Sequence, residues 1–389
     1  MNLLTEIANP GAEKCNIARA FGGFLYDEFQ KTKDFYFFSP DETTSNKLAQ
    51  VYDATDRAWM REIKPWDKAL SDDGRVVELL SENTLFAVLA GHILSGGHGV
   101  LASYESFLPI VSSQLDQHLK FLKQSKEVDW RPPYAALNII STSCWQRQDH
   151  NGYTHQNPSL LTSALAKPCN LVNCLFPIDD ISAAAAWEFM QKSENVVNIT
   201  TYNKLDCPRW IDINHARFQY DNGGASIFGF ASDDNPEVIV SAVGDIPTNE
   251  SLEAIKLVKN ELPGLRVRFI GIAALSYGAI GTTENKLSQT TFYEYFTTDK
   301  PIVVNFHGYA DTMKAILANY TDLRRVSVHG YEDQGSTTTP IDELSRNNCS
   351  RFELAADIAT RAGRGDIADH FRQQAAQNAE YAVLYGLDR

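Results

Sequence analysis

The sequence predicts an α/β protein with two mostly parallel sheets and flanking helices. Its short apolar runs, such as Phe35–Ser39 and Val238–Val243, are continuous rather than alternating. Continuous runs are typical of parallel strands that are covered on both faces. Helical patterns separate these runs, and alternating strands and helices imply right-handed crossovers between parallel strands. A chain of 389 residues is long enough for two domains, each with its own core.

The first predicted domain covers residues 1–205. Its strands are expected at 35–39, 99–102, 137–140, 171–176 and 196–201. Its helices are expected at 84–94, 104–122, 160–166 and 179–190, with Asp180 as the N-cap of the last one. Residues 206–225 include Pro208, Gly223 and Gly224 and are predicted to be a linker.

The second predicted domain covers residues 226–389. Its strands are expected at 238–243, 265–272, 301–306 and 325–328, with helices at 249–262 and 312–320. Two long helices, at 350–362 and 366–385, are expected to close the chain.

Composition excludes several classes of partner. A net charge of −14 and a pI near 5.1 argue against nucleic acid and anionic membranes, which attract clustered Lys and Arg. No apolar stretch approaches the ~20 residues that span a bilayer, and the start of the chain lacks the pattern of a signal peptide. The six cysteines form no C-x-x-C pair, so we expect reduced thiols in a cytoplasmic protein.

The run from Trp145 to Gln156 is the most informative one in the chain, because it gathers many titratable and amide side chains. It holds Arg147, His150, Asn151 and His155 and directly follows a predicted strand. Open α/β sheets place ligand sites at the carboxyl ends of their strands. Buried imidazoles and amides need hydrogen-bond partners, so a purely structural cluster of this density would be costly. We therefore predict that this loop borders a binding or catalytic site.

This run resembles a known family. Asp149–Gln156 reads D-H-N-G-Y-T-H-Q and is similar to the D-H-N-G-F-[ST]-H-Q segment of phosphoketolases, thiamine-diphosphate enzymes related to transketolase. Six further blocks resemble the family in the same order, beginning at Ser39, Gly74, Ala102, Gly244, Phe306 and Gly330. The resembling region is the second half of a phosphoketolase. The resemblance implies a pyrimidine-binding-type domain followed by a transketolase C-terminal-type domain, with thiamine diphosphate as cofactor and a ketose phosphate as substrate.

The resemblance assigns the cofactor-activating carboxyl group to Glu82. Such a carboxyl must be able to hold a proton against the pyrimidine ring, and the apolar residues on both sides of Glu82 favour a raised pKa. Glu78, four residues earlier, is the competing candidate, and a helix-start glutamate near the dipole is the structural alternative. Tyr104 matches the aromatic residue that stacks on the pyrimidine, with Phe107 in the same block, although a buried core tyrosine would look the same.

The substrate-side groups implied by the resemblance include hydroxyl, amide and cationic side chains suited to sugar hydroxyls and phosphate. They are Glu42, Ser45, Arg147, Asn151, His155 and Lys204, and His150 and His155 join Glu82 as expected catalytic residues. The family usually has Gln after this lysine, where Leu205 stands here, and a solvated surface lysine is the alternative for Lys204. His307 to Tyr309 are expected to be mainly structural.

The half of the family's enzymes that binds the cofactor's diphosphate group has no counterpart in this chain. Related enzymes hold the diphosphate and Mg²⁺ through a Gly-Asp-Gly motif and a later Asn, and a hard cation needs such oxygen ligands. This chain has no Gly-Asp-Gly, and no metal ligands are assigned in it. Because the chain begins with Met1 yet lacks the family's first half, we expect a separate partner chain that holds most of the Mg²⁺ and diphosphate contacts, around a homodimer core. The alternative is a catalytically silent binding or regulatory subunit.

Overall fold

The computed structural model describes residues 7–147, 152–334 and 337–389. Up to residue 221, the strands are β1 (Lys14–Cys15), β2 (Phe35–Ser39), β3 (Arg57–Ala58), β4 (Leu70–Ser71), β5 (Val76–Glu78), β6 (His98–Tyr104), β7 (Leu137–Thr142), β8 (Val172–Leu175), β9 (Val197–Thr201) and β10 (Cys207–Pro208). The helices are α1 (Ile17–Lys31), α2 (Val51–Ala54), α3 (Glu82–Leu94), α4 (Ser112–Ser125), α5 (Ser159–Leu165), α6 (Asp180–Lys192) and α7 (Ile213–Asp221).

The remaining strands are β11 (Ala225–Ile227), β12 (Val238–Val243), β13 (Val267–Ile272), β14 (Ala274–Ser276), β15 (Ala279–Ile280), β16 (Ile302–Phe306) and β17 (Val326–His329). The remaining helices are α8 (Asp245–Glu261), α9 (Gln289–Phe296), α10 (Ala310–Leu317), α11 (Pro340–Arg346), α12 (Arg351–Arg361) and α13 (Gly365–Tyr385). None of the helices in the described ranges is both long and apolar enough to span a bilayer.

Two mostly parallel sheets dominate the structure and confirm the predicted fold class. The larger has the order β15-β14-β8-β9-β7-β6-β2-β5-β3-β4, and its strands from β8 to β4 run parallel. The smaller has the order β11-β13-β12-β16-β17, with only β11 antiparallel. A separate two-stranded antiparallel ribbon joins β1 to β10.

The two halves of the chain contribute to one common sheet and to one common apolar cluster. The hairpin β14–β15, which follows β13 of the smaller sheet, pairs antiparallel with β8 and extends the larger sheet. The main apolar cluster likewise contains Phe21 and Tyr202 from the first half and Val240 and Phe269 from the second. Each fully buried aromatic side chain of this kind contributes roughly 2–3 kcal/mol. The division at 206–225 stays a prediction, and α7 lies within that segment.

The starts of α6 and α8 differ from the predicted ones for reasons that their first turns show. The cap of α6 is Asp179 rather than Asp180, because the Asp179 carboxylate accepts the Ser182 amide at 2.7 Å while Ser182 Oγ accepts the Asp179 amide. Asp180 instead pairs with Arg209 at 2.6 Å. Helix α8 begins at Asp245, earlier than expected, since its proline lies in the first turn, where a missing N–H costs nothing.

The predicted helix 104–122 is wrong at its start. Residues up to Tyr104 continue β6, which pairs with β7 as far as Tyr104 opposite Thr142. A 3₁₀ turn at Leu108–Val111, containing Pro109, then separates the strand from α4. The continuous apolar run before Tyr104 extends the strand, so Tyr104 and Phe107 lie at the carboxyl edge of the sheet rather than inside a helix.

Candidate active site

The carboxyl ends of four neighbouring strands bring most of the predicted site residues together. In the larger sheet these strands are consecutive neighbours, in the order β9-β7-β6-β2. Tyr104 ends β6, and Glu42, His155 and Lys204 lie in the segments after β2, β7 and β9. Side chains from distant parts of the sequence therefore converge at one edge, where open α/β sheets bind ligands.

Two carboxyl groups meet at this edge. The Ser103 hydroxyl lies 3.4 Å from Glu42 Oε2 and 3.4 Å from Glu82 Oε1. The Tyr104 amide also donates to Glu42 Oε2 at 3.0 Å. Burial, together with the nearby Glu82 charge, raises the pKa of Glu42 to about 7 in spite of these donors. Glu42 can therefore exchange a proton near neutral pH.

The expected apolar surroundings of Glu82 are not formed by its neighbours in sequence. Glu82 is half-buried, and Leu79 and Leu80 are 46% and 82% exposed. The reason is the direction of α3, which turns its apolar side, including Leu85 and Leu89, into the core. An apolar environment for Glu82 must therefore be formed by residues other than its neighbours in sequence.

Aromatic and basic side chains form the adjoining cluster. The Tyr104 hydroxyl donates to Ser45 Oγ at 2.8 Å and accepts from Lys204 Nζ at 3.4 Å, and Nζ lies 4.7 Å from the Tyr104 ring centroid. The Phe107 ring is nearly parallel to the Tyr104 ring, at 6.0 Å. The His155 ring meets both edge-on, at 5.3 Å from Phe107 and 6.3 Å from Tyr104. The cluster thus offers ring faces beside two groups that can carry positive charge.

Both ends of the Lys204 segment are held. The Asn16 side chain donates to the Lys204 carbonyl at 3.2 Å. The preceding Asn203 amide donates to Asp245 Oδ2 at 2.8 Å, which links the segment to α8 of the second half. Lys204 is therefore not a freely solvated lysine, because its backbone is fixed and its side chain contacts Tyr104.

Glu78, the competing candidate, lies in a different network. Its carboxylate accepts from Thr43 Oγ1 at 2.8 Å, from the Tyr52 hydroxyl, and from Arg57 Nε at 2.5 Å. Burial and the bond to Glu78 raise the pKa of Tyr52 to about 12. Glu78 is thus an ion-pair partner that ties β5 to β3.

Part of the predicted loop lies outside the described residues. His150 and Asn151 lie outside the described residues, and so does the side chain of Arg147, whose backbone ends the 3₁₀ turn Trp145–Arg147. The possible contacts of these three residues remain predictions.

Sequence reasoning missed Glu105, a buried residue that connects the site to the second half. Its Oε2 accepts from the Trp145 amide at 3.0 Å, and its Oε1 lies 2.5 Å from His307 Nε2. His307 Nδ1 lies 2.8 Å from Gln146 Oε1, so both ring nitrogens face acceptors. Burial alone would lower the pKa of His307, but the Glu105 carboxylate outweighs it and raises that pKa. The signal was available, since Glu105 and His307 both lie in the family-like blocks.

The atoms of this buried group could also reach one metal ion. One ligand atom each from Glu105, Cys144 and His307 lies within 4.8 Å of the others. However, the His307 nitrogens are both engaged, and the Cys144 thiol donates to the Tyr202 carbonyl at 3.0 Å. The group is closed by its own hydrogen bonds and is better described as a structural ion pair.

The chemistry of the site suits a polar, ring-containing ligand. The side-chain nitrogens of Asn46 and Asn203 are buried and have no hydrogen-bond partner within the described part of the chain. A buried donor without a partner is costly unless a ligand accepts from it. With a carboxyl pair, stacked rings and cationic groups alongside, the arrangement can bind a planar heterocycle, move a proton and hold an anion.

Comparisons with known sequences identify one family. Residues 19–193 match the family profile described as D-xylulose 5-phosphate/D-fructose 6-phosphate phosphoketolase, and residues 204–388 match the XFP C-terminal domain. A probable phosphoketolase of Nitrosomonas europaea is 36% identical over 98% of this chain and 50% of its own length. One from Rhodopseudomonas palustris is 37% identical over 93% of this chain and 47% of its own. The chain spans about half the length of these curated relatives.

Solved structures show the same fold at low identity. A Pichia stipitis transketolase in complex with sedoheptulose 7-phosphate superposes with a TM-score of 0.70 at 15% identity, over 92% of this chain and 47% of that one. A chain described as the inactive β4 tetramer of a split-gene transketolase superposes with a TM-score of 0.61 at 15% identity, over 90% of this chain and 99% of that one. With both family profiles matched in order, the chain belongs to the phosphoketolase family and corresponds to its C-terminal half.

Proposed function

We propose that this chain is one subunit of a split, thiamine-diphosphate-dependent phosphoketolase-like enzyme that cleaves a ketose phosphate. The observation that carries the proposal is the pair of carboxyl groups, Glu42 and Glu82, joined through Ser103 beside the Tyr104 ring. Glu42, with a pKa of about 7 beside a second carboxyl group, is suited to proton transfer rather than to simple packing.

The residues present fit the pyrimidine end of the cofactor. Glu82 would accept from or donate to the pyrimidine ring, Tyr104 and Phe107 would pack on its face, and the unpaired Asn46 nitrogen would donate to a polar ring atom. When bound, thiamine diphosphate supplies the carbon nucleophile that attacks the ketose carbonyl. The diphosphate and Mg²⁺ are proposed to be held mainly by the partner chain.

The chain's own residues have separable roles in this proposal. Glu82 holds a proton against the pyrimidine, and Glu42, with its pKa of about 7, shares that proton through the Ser103 hydroxyl. Ser45 and Glu42 hold sugar hydroxyls, while His155 and Lys204 donate to phosphate oxygens. Arg147, His150 and Asn151 complete the substrate side, with His150 as a further proton-transfer group.

The proposed reaction breaks the carbon–carbon bond next to the ketose carbonyl and releases an aldose phosphate. In the phosphoketolase version, water is lost and inorganic phosphate takes the two-carbon fragment as acetyl phosphate. In the transketolase version, an aldose takes the same fragment. The two matched family profiles favour the phosphoketolase version.

An exposed apolar surface beside Glu82 supports a partner subunit. We name it the Glu82 rim: Met60 and Trp66 follow β3, Leu79 and Leu80 follow its parallel neighbour β5, and these four side chains are 89%, 76%, 46% and 82% exposed. Clustered exposed apolar side chains mark interaction surfaces. A covering chain would also desolvate Glu82. The near-complete overlap with the split-gene transketolase chain favours a separate partner, with copies of this chain forming a homodimer core.

The proposed location is the cytoplasm, where the six cysteines, all free, would stay reduced. The competing function is a catalytically silent binding subunit. The Glu42–Ser103–Glu82 group argues against it, because packing alone does not require two carboxyl groups to share one donor.

Calorimetry with thiamine diphosphate and Mg²⁺ tests the proposal. The chain alone should bind the cofactor weakly, and the complex that co-purifies with a second chain should bind it tightly. Tight binding by the isolated chain contradicts the split arrangement. Failure of the complex to bind favours the silent subunit.

A further inference from the structure

Two cysteines that are 192 positions apart in sequence meet in the ribbon formed by β1 and β10. Cys15 and Cys207 are direct cross-strand partners, and their sulfur atoms are 3.5 Å apart. Directly opposed residues of an antiparallel pair have Cα atoms about 4.5–5.5 Å apart, which lies inside the range of about 4.4–6.8 Å that disulfides require. The backbone is thus already placed for a disulfide bond, and only side-chain rotation is needed.

The ribbon is held rigidly on both sides of this pair. On one side, the Arg209 amide donates to the Glu13 carbonyl at 2.9 Å, and the Arg209 side chain pairs with Asp180 at 2.6 Å. On the other side, the Asn16 side chain donates to the Lys204 carbonyl at 3.2 Å and to Asp206 Oδ1 at 2.8 Å. The two sulfur atoms therefore stay in contact while the protein is folded.

One of the two cysteines lines a surface cavity. A surface cavity of about 390 Å³ is lined by Lys14, Cys15, Asn16, Arg19, Asp180 and Asp206. Cys15 lines this cavity and is 9% exposed, whereas Cys207 is 7% exposed and does not line it. A small oxidant that enters this cavity meets Cys15, and the Cys207 sulfur lies 3.5 Å from the Cys15 sulfur.

We infer that Cys15 and Cys207 form a redox-sensitive dithiol that closes to a disulfide when the protein meets a hydroperoxide. Hydrogen peroxide oxidises the Cys15 thiol to a sulfenic acid with the release of one water molecule, and an organic hydroperoxide releases its alcohol instead. The Cys207 sulfur then attacks the Cys15 sulfur, the sulfur–sulfur bond forms, and the sulfenic oxygen leaves as a second water molecule. Two electrons pass from the two thiols to one peroxide, and a thiol reductant reverses the change.

The surroundings set the speed of this reaction. The hydrogen bond to Cys15, together with burial, raises the pKa of the Cys207 thiol, so the second thiol is mostly protonated at neutral pH. Because the thiolate is the nucleophile, ring closure should be slow at neutral pH and faster in alkaline solution. The pair therefore responds to sustained oxidation rather than to a brief pulse.

The disulfide would tie the start of α1 to the segment that carries Lys204. Cys207 lies three residues after Lys204, and Asn16, next to Cys15, already contacts the Lys204 carbonyl. Formation of the disulfide would restrict this segment in the folded protein. It would also remove conformational freedom from the unfolded chain. This inference does not depend on the proposed catalytic function.

The test is to treat the full, reduced chain with hydrogen peroxide, block remaining thiols by alkylation, and digest it without reductant. We expect the intact mass to fall by two hydrogen atoms, two of the six thiols to escape alkylation, and a peptide to link Cys15 with Cys207. The thermal midpoint should rise on oxidation, and dithiothreitol should reverse all of these changes.

Two variants complete the test. In Cys207→Ser, peroxide should leave a Cys15 sulfenic acid that dimedone traps, and no cross-link should form. Cys169→Ser changes a half-buried cysteine elsewhere and should leave the cross-link intact. Over-oxidation of Cys15 in the native sequence without a cross-link would overturn the inference, and so would cross-links that use other cysteines. Peroxide treatment of the unsubstituted protein tests the inference even if Cys207→Ser does not fold.

Discussion

Glu42 and Glu82 approach the same hydroxyl, that of Ser103, at 3.4 Å each, although 40 residues separate the two acids in sequence. Ser103 has a single proton to donate, so it cannot satisfy both carboxylates at once. Two acids in this position are more stable with one proton between them, and burial places the pKa of Glu42 at about 7. The proposed proton transfer depends on this relationship.

Glu82→Gln should abolish most of the turnover of the complex with the partner chain. The amide keeps the shape and one hydrogen bond but cannot exchange a proton, and such groups typically contribute ~10²–10⁴ in rate. Folding, measured by thermal unfolding, and co-purification with the partner should be unchanged.

Glu78→Gln is the matched control for that substitution. It breaks the ion pair with Arg57, so we expect a loss of about 1–3 kcal/mol in the free energy of unfolding and a much smaller effect on turnover. If Glu78→Gln abolishes turnover while Glu82→Gln does not, the assignment of the activating carboxyl is wrong. If neither substitution lowers turnover, the result favours the silent-subunit alternative.

Glu42→Gln should change how stability depends on pH. The folded-state pKa of Glu42, about 7, lies above the ordinary glutamate value of 4.5. Between these values the folded chain holds a proton that the unfolded chain has lost, so the free energy of unfolding falls as pH rises through this window. The effect of Glu42→Gln on the free energy of unfolding, relative to the unsubstituted chain, should therefore be more stabilising at pH 8 than at pH 5. We expect a difference of ~1–2 kcal/mol, after allowance for partial exposure.

Thermal midpoints at both pH values measure this effect. Exposed Glu284→Gln is the control and should follow the unsubstituted chain. Equal pH dependence in Glu42→Gln and the control would show that Glu42 titrates normally.

His307→Gln should destabilise the protein by about 3 kcal/mol, because it leaves the buried Glu105 carboxylate without its cationic partner. The raised pKa of His307 means that its ion pair stabilises fully below the unfolded value of 6.5 and loses strength as pH rises through the folded value. The cost of the substitution, measured by urea unfolding, should therefore be largest in mildly acidic solution.

The control is His370→Gln on the exposed side of α13, which should change the free energy of unfolding by less than ~0.5 kcal/mol. An equally small effect of His307→Gln would mean that the buried pair is not charged.

Tyr104→Phe and Tyr104→Ala separate the two contacts of this side chain. Phe removes only the hydroxyl that joins Ser45 to Lys204, so the KM for the sugar phosphate should rise by roughly five-fold, with little change in cofactor affinity. Ala also removes the ring, and should weaken cofactor binding by a further ~0.5–1.5 kcal/mol. Calorimetry and initial-rate kinetics on the complex measure both, and identical behaviour of the two variants would exclude the stacking role.

The sequence was a good guide where local pattern decides structure. Continuous apolar runs located β2, β7, β12 and β16, and the family-like blocks located side chains that do converge at the sheet edge. It was a poor guide where tertiary contacts decide. The pairing of Cys15 with Cys207, the β14–β15 hairpin and the Glu105–His307 pair join distant positions, and no local periodicity reports them.

The same limit applies to burial. The apolar residues around Glu82 suggested a buried acid, yet Glu82 is only half-buried and Leu80 is 82% exposed. A residue's environment depends on which face of its element meets the core, and at the Glu82 rim it also depends on a proposed second chain.

The central claim is that this chain becomes a catalyst only together with a second chain. The most direct measurement supplies the purified chain, the partner and their mixture with fructose 6-phosphate or xylulose 5-phosphate, inorganic phosphate, thiamine diphosphate and Mg²⁺, and traps acyl phosphate as hydroxamate. We predict hydroxamate from the mixture, none from either chain alone, and its loss with Glu82→Gln. Hydroxamate from this chain alone, or none from a mixture that assembles and binds the cofactor, would contradict the claim.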